Sequence, residues 1–173
     1  MNTNIILAGI GVAALLGILI SIPARTNKLR KNAGVLKFPL KAPTPVKSVL
    51  ILVFSAALIL LVPFRDMGFL INIVFILTAL IAAEMGAREI ANIRIAGVYK
   101  DAIVSGTQTI YFNKIAALPT LAYEKDPDST GNYKTSLTVV LENGSETTLL
   151  FADEEERDNA VKTILSLVPR LRP

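Results

Sequence analysis

The stretch that decides the fold is Ser21–Lys47, SIPARTNKLRKNAGVLKFPLKAPTPVK. It carries Arg25, Lys28, Arg30, Lys31, Lys37, Lys41 and Lys47 and no acid. Such a run is a nucleic-acid arm, a lipid-binding patch or a determinant of membrane orientation, and its flanks decide among them. Upstream lies IILAGIGVAALLGILISI, Ile5–Ile22, and downstream lies SVLILVFSAALILLVPF, Ser48–Phe64. A third run, MGFLINIVFILTALIAA, covers Met67–Ala83. Each is uncharged over about 17–18 residues, about 27 Å of helix, the short end of what spans a bilayer. A surface helix of a soluble protein would carry a polar stripe, and these carry none.

The composition agrees. Of 173 residues, 52% are hydrophobic and only 18% charged, more apolar than an ordinary soluble domain, and the excess is confined to the first half. The net charge of +4 is equally uneven. The basic loop supplies seven positive charges, whereas Glu84 onward holds ten bases against thirteen acids. The basic character therefore belongs to one loop, and the slightly acidic remainder argues against DNA or RNA as a partner.

A positive n-region is missing before the first run, since only Met1–Asn4 precedes it, so an uncleaved anchor is expected instead of a signal peptide. Loops rich in Lys and Arg stay on the cytoplasmic side. The expected topology is N-terminus outside, basic loop inside, hairpin turn at Arg65-Asp66 outside and C-terminal half inside, in the plasma membrane. Arg88 and Arg94, just past the third run, agree. Thr44 and Pro45 read as N-cap and first-turn proline of the second helix. Pro39, Pro43 and Pro45 suggest that the loop's second half stays extended. Val35, Leu36, Phe38 and Leu40, interleaved with its lysines, make anionic headgroups a second class of partner.

Within the spans, Gly9, Ala13 and Gly17 lie four apart on one helix face. That spacing lets backbones approach closely, toward the hairpin or another subunit, though small residues are also simply common in membrane helices. Asn72 is the clearest polar residue in a span and reads as an interhelical hydrogen bond. Glu84 and Arg88 form an i,i+4 pair at the inner boundary. No cluster of ionisable groups lies within the runs, which argues against a self-sufficient pump.

The third helix is expected to continue to Gly97, after which the pattern becomes strand-like. GVYKDAIVSGTQTIYF alternates and turns at Ser105-Gly106; NKIAALPTLAYEKD reads as a strand pair or a bent strand with Pro119 at an edge or bulge. DPDSTGNY is a turn-rich loop that lacks EF-hand spacing. TSLTVVLENGSETTLLFA reads as two strands joined by a type I′ turn at Asn143-Gly144. In ADEEERDNAVKTILSLVPRLRP, Asp153 is an N-cap with Glu156 in a capping box. Val161, Ile164, Leu165 and Val168 form one apolar face, and Pro169 ends the helix. This order of strands, NG hairpin and single amphipathic helix, with GVYKDAIVSGTQTIYFNKIAAL at its start, resembles the pleckstrin-homology-like (PH-like) domains of small bacterial membrane proteins over about Gly97–Val168. Phe112 stands where a Trp is common there, and Asn113-Lys114 where an acid is. The resemblance implies a PH-like half-barrel with a capping helix and no general catalytic activity. Lipid-binding members use a basic cluster in the first hairpin, where this chain offers only Lys100 beside Asp101.

The expected architecture is thus three transmembrane helices plus a small α+β cytoplasmic domain. Residues 1–96 form the membrane region with its basic loop at 23–47, and 97–173 form the PH-like domain. With no Cys or His and no phosphate-loop motif, no catalytic, metal or cofactor residues are expected. A non-enzymatic interaction or assembly module is the leading functional expectation, its partner another protein or a second copy. An accessory subunit of a channel or transporter and an anionic-lipid-organising protein are the alternatives.

Overall fold

The computed structural model describes residues 3–42, 44–65, 68–106, 108–123 and 134–172. The turn residues Asp66 and Met67 and the loop Asp126–Tyr133 lie outside them. The chain divides into two compact units: Met1–Asn27 with Thr44–Ala91, and Lys28–Pro43 with Asn92–Pro173.

The first unit is helical. Helix α1 covers Thr3–Ala33, α2 Val46–Leu61 and α3 Phe69–Ile93. All three are long and apolar enough to cross a membrane. Helix α1 runs well past the expected end at Ile22 and contains Pro23. A proline removes one helix hydrogen bond and crowds the preceding turn. Here hydroxyls accompany it: Ser21 Oγ donates to the Ile18 carbonyl at 2.6 Å and Thr26 Oγ1 to that of Ile22 at 3.0 Å. Helix α2 starts one residue later than expected, with Pro45 as N-cap and no side-chain cap, and a 3₁₀ turn at Val62–Phe64 follows it. The interior of this unit is built on small residues of α3. Ala79, Ala83, Ala87 and Ala91 recur every four residues and are all buried, and a Cβ on Gly86 would lie 3.1 Å from the Ser48 carbonyl. Leu15, Ile59 and Ile76 fill the remaining space.

Among the described residues the second unit contains seven strands in two antiparallel sheets. Strands β1 (Leu36–Pro39), β2 (Gly97–Tyr99), β3 (Ala102–Ser105) and β4 (Gln108–Tyr111) form the first, in that order. Strands β5 (Ile115–Ala117), β6 (Ser136–Leu141) and β7 (Glu146–Leu150) form the second. The short helix α4 (Thr120–Tyr123) and the helix α5 (Glu154–Leu167) complete it. One core joins both sheets to α5: Val98, Ile103 and Ile110 from the first sheet, Leu137, Val139 and Leu149 from the second, Ala160, Val161 and Ile164 from the helix. Burying a side chain such as Ile164 stabilises by about 1.5–3 kcal/mol.

Strand β1 alters the reading of the basic loop. The stretch expected to stay extended pairs instead with β2, Leu36 opposite Tyr99 and Pro39 opposite Gly97, with a bulge between Leu36 and Phe38. A Cβ on Gly97 would meet Leu36 Cδ1 at 2.6 Å, so this glycine admits the strand as well as following α3. The compact sheet unit therefore takes in Lys28–Pro43, ahead of the boundary expected at residue 97. Proline is tolerated at β1 because an edge strand need not donate on its outer side.

Two further expectations change. The described part of NKIAALPTLAYEKD, Asn113–Tyr123, is not a strand pair. Phe112–Lys114 is a 3₁₀ turn, β5 is short, and Pro119 immediately precedes α4. The β6–β7 connection is not type I′, because only Gly144, at φ +78°, is left-handed and Asn143 is not. Gly144 N–H donates to the Leu141 carbonyl and Leu141 N–H to that of Ser145, both at 2.9 Å, a type I turn closed by a glycine bulge. Asn143 Oδ1 accepts from Ser145 N–H at 3.0 Å and Ser145 Oγ at 2.7 Å, which holds Asn143 on the right-handed side.

Candidate functional site: the basic segment and its anchor

Helix α1 ends where Gly34 takes φ +86°, the left-handed conformation that terminates helices. Arg30 and Lys31 occupy the last turn, where the negative end of the helix dipole favours cations. Leu29 and Ala33 of that turn pack against Ile95, Tyr99, Ala102 and Val104. The first sheet is thus covered on two faces: Ile103 points into the main core and its neighbours Ala102 and Val104 into this second cluster. Tyr99 O–H donates to the Ile95 carbonyl at 2.8 Å. Burial raises the Tyr99 phenol above its usual value, so it stays neutral through the physiological range.

The exit from β1 is anchored to the start of α5. Asp153 caps that helix, its Oδ1 accepting from Glu156 N–H at 2.8 Å. Glu156 is buried at 6% exposure, and each of its oxygens takes a backbone donor. Oε2 accepts from Ala152 N–H at 2.7 Å and Oε1 from Lys41 N–H. The Lys41 ammonium pairs with Asp153 Oδ2. That hydrogen bond raises the Lys41 pKa and, together with Glu156 N–H, lowers that of Asp153. The Asp153 half of the capping box read from the sequence is present, but Glu156 reaches back to Ala152 N–H instead of the N-cap N–H and also anchors a segment more than a hundred residues away.

The seven bases therefore separate by role. Arg25 reaches Glu84 Oε1 at 2.5 Å in the helical unit, where Arg88 Nε meets the same oxygen at 2.8 Å. Lys41 is committed to α5. Lys28, Arg30, Lys31, Lys37 and Lys47 are exposed. Of the apolar residues interleaved with them, Phe38 and Leu40 turn inward onto the main core, whereas Val35 and Leu36 stay exposed. The surface expected for headgroups is thus half consumed by folding.

The packing residues also divide. Asn72 is buried and its Nδ2 donates to Asn4 Oδ1 at 3.0 Å, an interhelical bond between α3 and α1. Gly9, Ala13 and Gly17 are exposed, and a Cβ on Gly9 or Gly17 would meet nothing within 4 Å. The close approach of α1 to the hairpin occurs at Gly11, whose Cβ would lie 2.9 Å from Ile59 Cγ2. The four-residue spacing was visible in α1, but the inner positions are taken by Ala8 and Gly11 of that helix and by the alanines and Gly86 of α3.

Among the described residues no group of His, Cys, Asp and Glu is placed to hold a metal ion. No family model matches the chain, and no curated protein or solved structure matches it significantly.

Proposed function

We propose that the chain is a non-enzymatic integral membrane protein whose C-terminal unit is a PH-like interaction or assembly module at the cytoplasmic face. The observation that carries this reading is the order of the second unit: a four-stranded sheet, a three-stranded sheet and a closing C-terminal helix. That order is in keeping with the PH-like resemblance of the sequence and supports the reading. The unit's first strand lies between two of the apolar helices. The pairing of β1 with β2 supports a topology with both ends of the α2–α3 hairpin on one side of the membrane. The excess of Lys and Arg on that side supports the cytoplasmic assignment. A channel or transporter core is one class of partner, with this chain as its accessory subunit.

Purification from native membranes in mild detergent, with light scattering of the product, tests the module. A reproducible co-purifying protein or a defined homo-oligomer is expected. A monomer that returns no partner would sink the reading. Because the chain has no cysteine, Thr3→Cys and Ser145→Cys report topology cleanly. An impermeant maleimide applied to intact cells is expected to label only the first.

A second reading, organisation of anionic lipid, draws on Lys31 and Lys37 beside exposed Val35 and Leu36. Each basic residue near an anionic surface contributes about 1 kcal/mol. Equal lipid retention by the wild type and a Lys28→Glu/Lys31→Glu/Lys37→Glu variant, read by native mass spectrometry, would remove it.

A further inference from the structure

An open cleft of about 680 Å³ lies in the sheet unit. Its walls are the β2–β3 turn, the 3₁₀ turn after β4 and the C-terminal end of α5. The volume is that of ordinary ligand pockets, about 300–1,000 Å³. The apolar surface comes from Phe112, Leu167 and Val168, of which Phe112 is buried and the other two half-buried. The polar groups are Lys100, Asp101, Asn113 and Arg170, all exposed, and the half-buried Tyr111 also lines the cleft.

Backbone hydrogen bonds hold these walls before any ligand arrives. Lys100 N–H donates to the Val35 carbonyl at 2.9 Å, Asp101 N–H to that of Ala33 at 3.1 Å, and Phe112 N–H to that of Asp101 at 3.0 Å. Arg170 Nη2 donates to the Phe112 carbonyl at 3.1 Å and the Ile115 carbonyl at 3.3 Å. One nitrogen thus orients the guanidinium while its remaining donors stay directed elsewhere, and a planar fork so fixed suits a carboxylate. Preorganised walls lower the ordering cost of binding.

The charge balance selects the ligand. Two cations against one carboxylate leave a single positive charge, which matches a monoanion. A polyphosphorylated headgroup carries several negative charges and would be repelled by Asp101. The apolar wall calls for a hydrophobic side chain beside that single charge, and Asp101 and Asn113 offer acceptors to peptide N–H groups. A free chain terminus with an apolar last residue combines these features.

We propose that this cleft binds the C-terminal carboxylate of a partner protein that ends in an apolar residue, paired by Arg170 and Lys100 with the terminal side chain against Phe112, Leu167 and Val168. The proposal rests on the interaction-module reading above and names its site and ligand class.

The test uses the full chain in phosphatidylcholine nanodiscs and a fluorescein-labelled hexapeptide library with a fixed C-terminal leucine, read by fluorescence polarisation. The free-acid library is expected to bind saturably, with members below about 100 μM, roughly −5.5 kcal/mol. Amidation of the terminus and Lys100→Glu are each expected to weaken binding at least tenfold. Lys100→Glu leaves the fold intact because its side chain is exposed, which an unchanged thermal melt verifies; Arg170→Gln serves as the second variant. Absence of free-acid binding, equal affinity for acid and amide, or unchanged affinity in Lys100→Glu would overturn the proposal. So would displacement of the peptide by glycerophosphoserine at equal concentration. Co-purification run in parallel separates the two levels. A partner recovered equally by the wild type and Lys100→Glu leaves the interaction module standing and removes the cleft from it. A wild type that yields neither partner nor oligomer removes the module, whereas carboxylate-dependent peptide binding is judged on its own.

Discussion

In the helical unit Leu70, Leu77 and Ile81 are exposed, whereas in the sheet unit Ile103, Leu137 and Ile164 are buried. The two regions solve opposite problems. The sheet unit follows the rule for water: apolar atoms inside, charges such as Glu154, Glu155 and Lys162 outside. The helical unit inverts it, placing alanines inside and large aliphatic side chains outside. That arrangement suits surroundings as apolar as leucine, where association depends on close backbone packing instead of water exclusion. The difference teaches that one chain can use burial in two senses, and that a residue's exposure has meaning only with its solvent named.

Substitutions can break or sharpen this contrast. Ile164→Ala is expected to cost the sheet unit about 2–5 kcal/mol, because it leaves a cavity in a closed core; denaturant unfolding of the full chain in detergent would measure it. Leu77→Arg is expected to disfavour insertion of α3 by about 3 kcal/mol, seen as loss from the membrane fraction. A neutral outcome there would mean that α3 faces water and would abolish the contrast. Glu156→Ala removes a charged acceptor for two backbone donors and is expected to cost about 1.5–3 kcal/mol, with faster hydrogen exchange at the Lys41 and Ala152 amides. Gly11→Val is expected to destabilise the helices by about 1–3 kcal/mol through overpacking against Ile59, while Gly9→Ala and Gly17→Ala change the melting temperature little.

The smallest effect is set by pH. Asp153 has a lowered pKa and Lys41 a raised one, each through the other. The Asp153 contribution is present above the ordinary carboxylate value of 3.8 and is lost as pH falls through the lower folded value. The Lys41 contribution is present below 10.5 and disappears as pH rises above it. Both groups are exposed, so only a slight fall in melting temperature at each extreme is expected, and Asp153→Asn should erase the acidic one.

Local chemistry made the apolar runs, the Asp153 cap and the turn around Asn143-Gly144 legible, since each depends on residues a few positions apart. The capping box was visible as a pattern, but the reach of Glu156 to Lys41 was not, because nothing near Glu156 announces a distant donor. Strand β1 was hidden for a related reason. It is four residues long and bears a bulge and a proline, so it carries too little alternation to stand apart from a linker. Its partner lies beyond two whole helices. The Gly9, Ala13 and Gly17 face does not meet the hairpin, because spacing identifies candidate faces without saying which neighbour, the hairpin or another subunit, covers one. The cleft combines residues from three separated segments, so its charge balance could be counted only after folding.

Strand β1 also imposes an order on synthesis. It leaves the ribosome before α2 and α3 exist, and at about 5–20 residues per second its partner β2 follows only some seconds later. Throughout that interval Phe38 and Leu40 have no core to join, whereas the β6–β7 ribbon, made later, needs only its own turn to close. Strand β1 therefore waits for its partner until the α2–α3 hairpin has been made, and a chain in which it failed to pair would leave the β2 edge open.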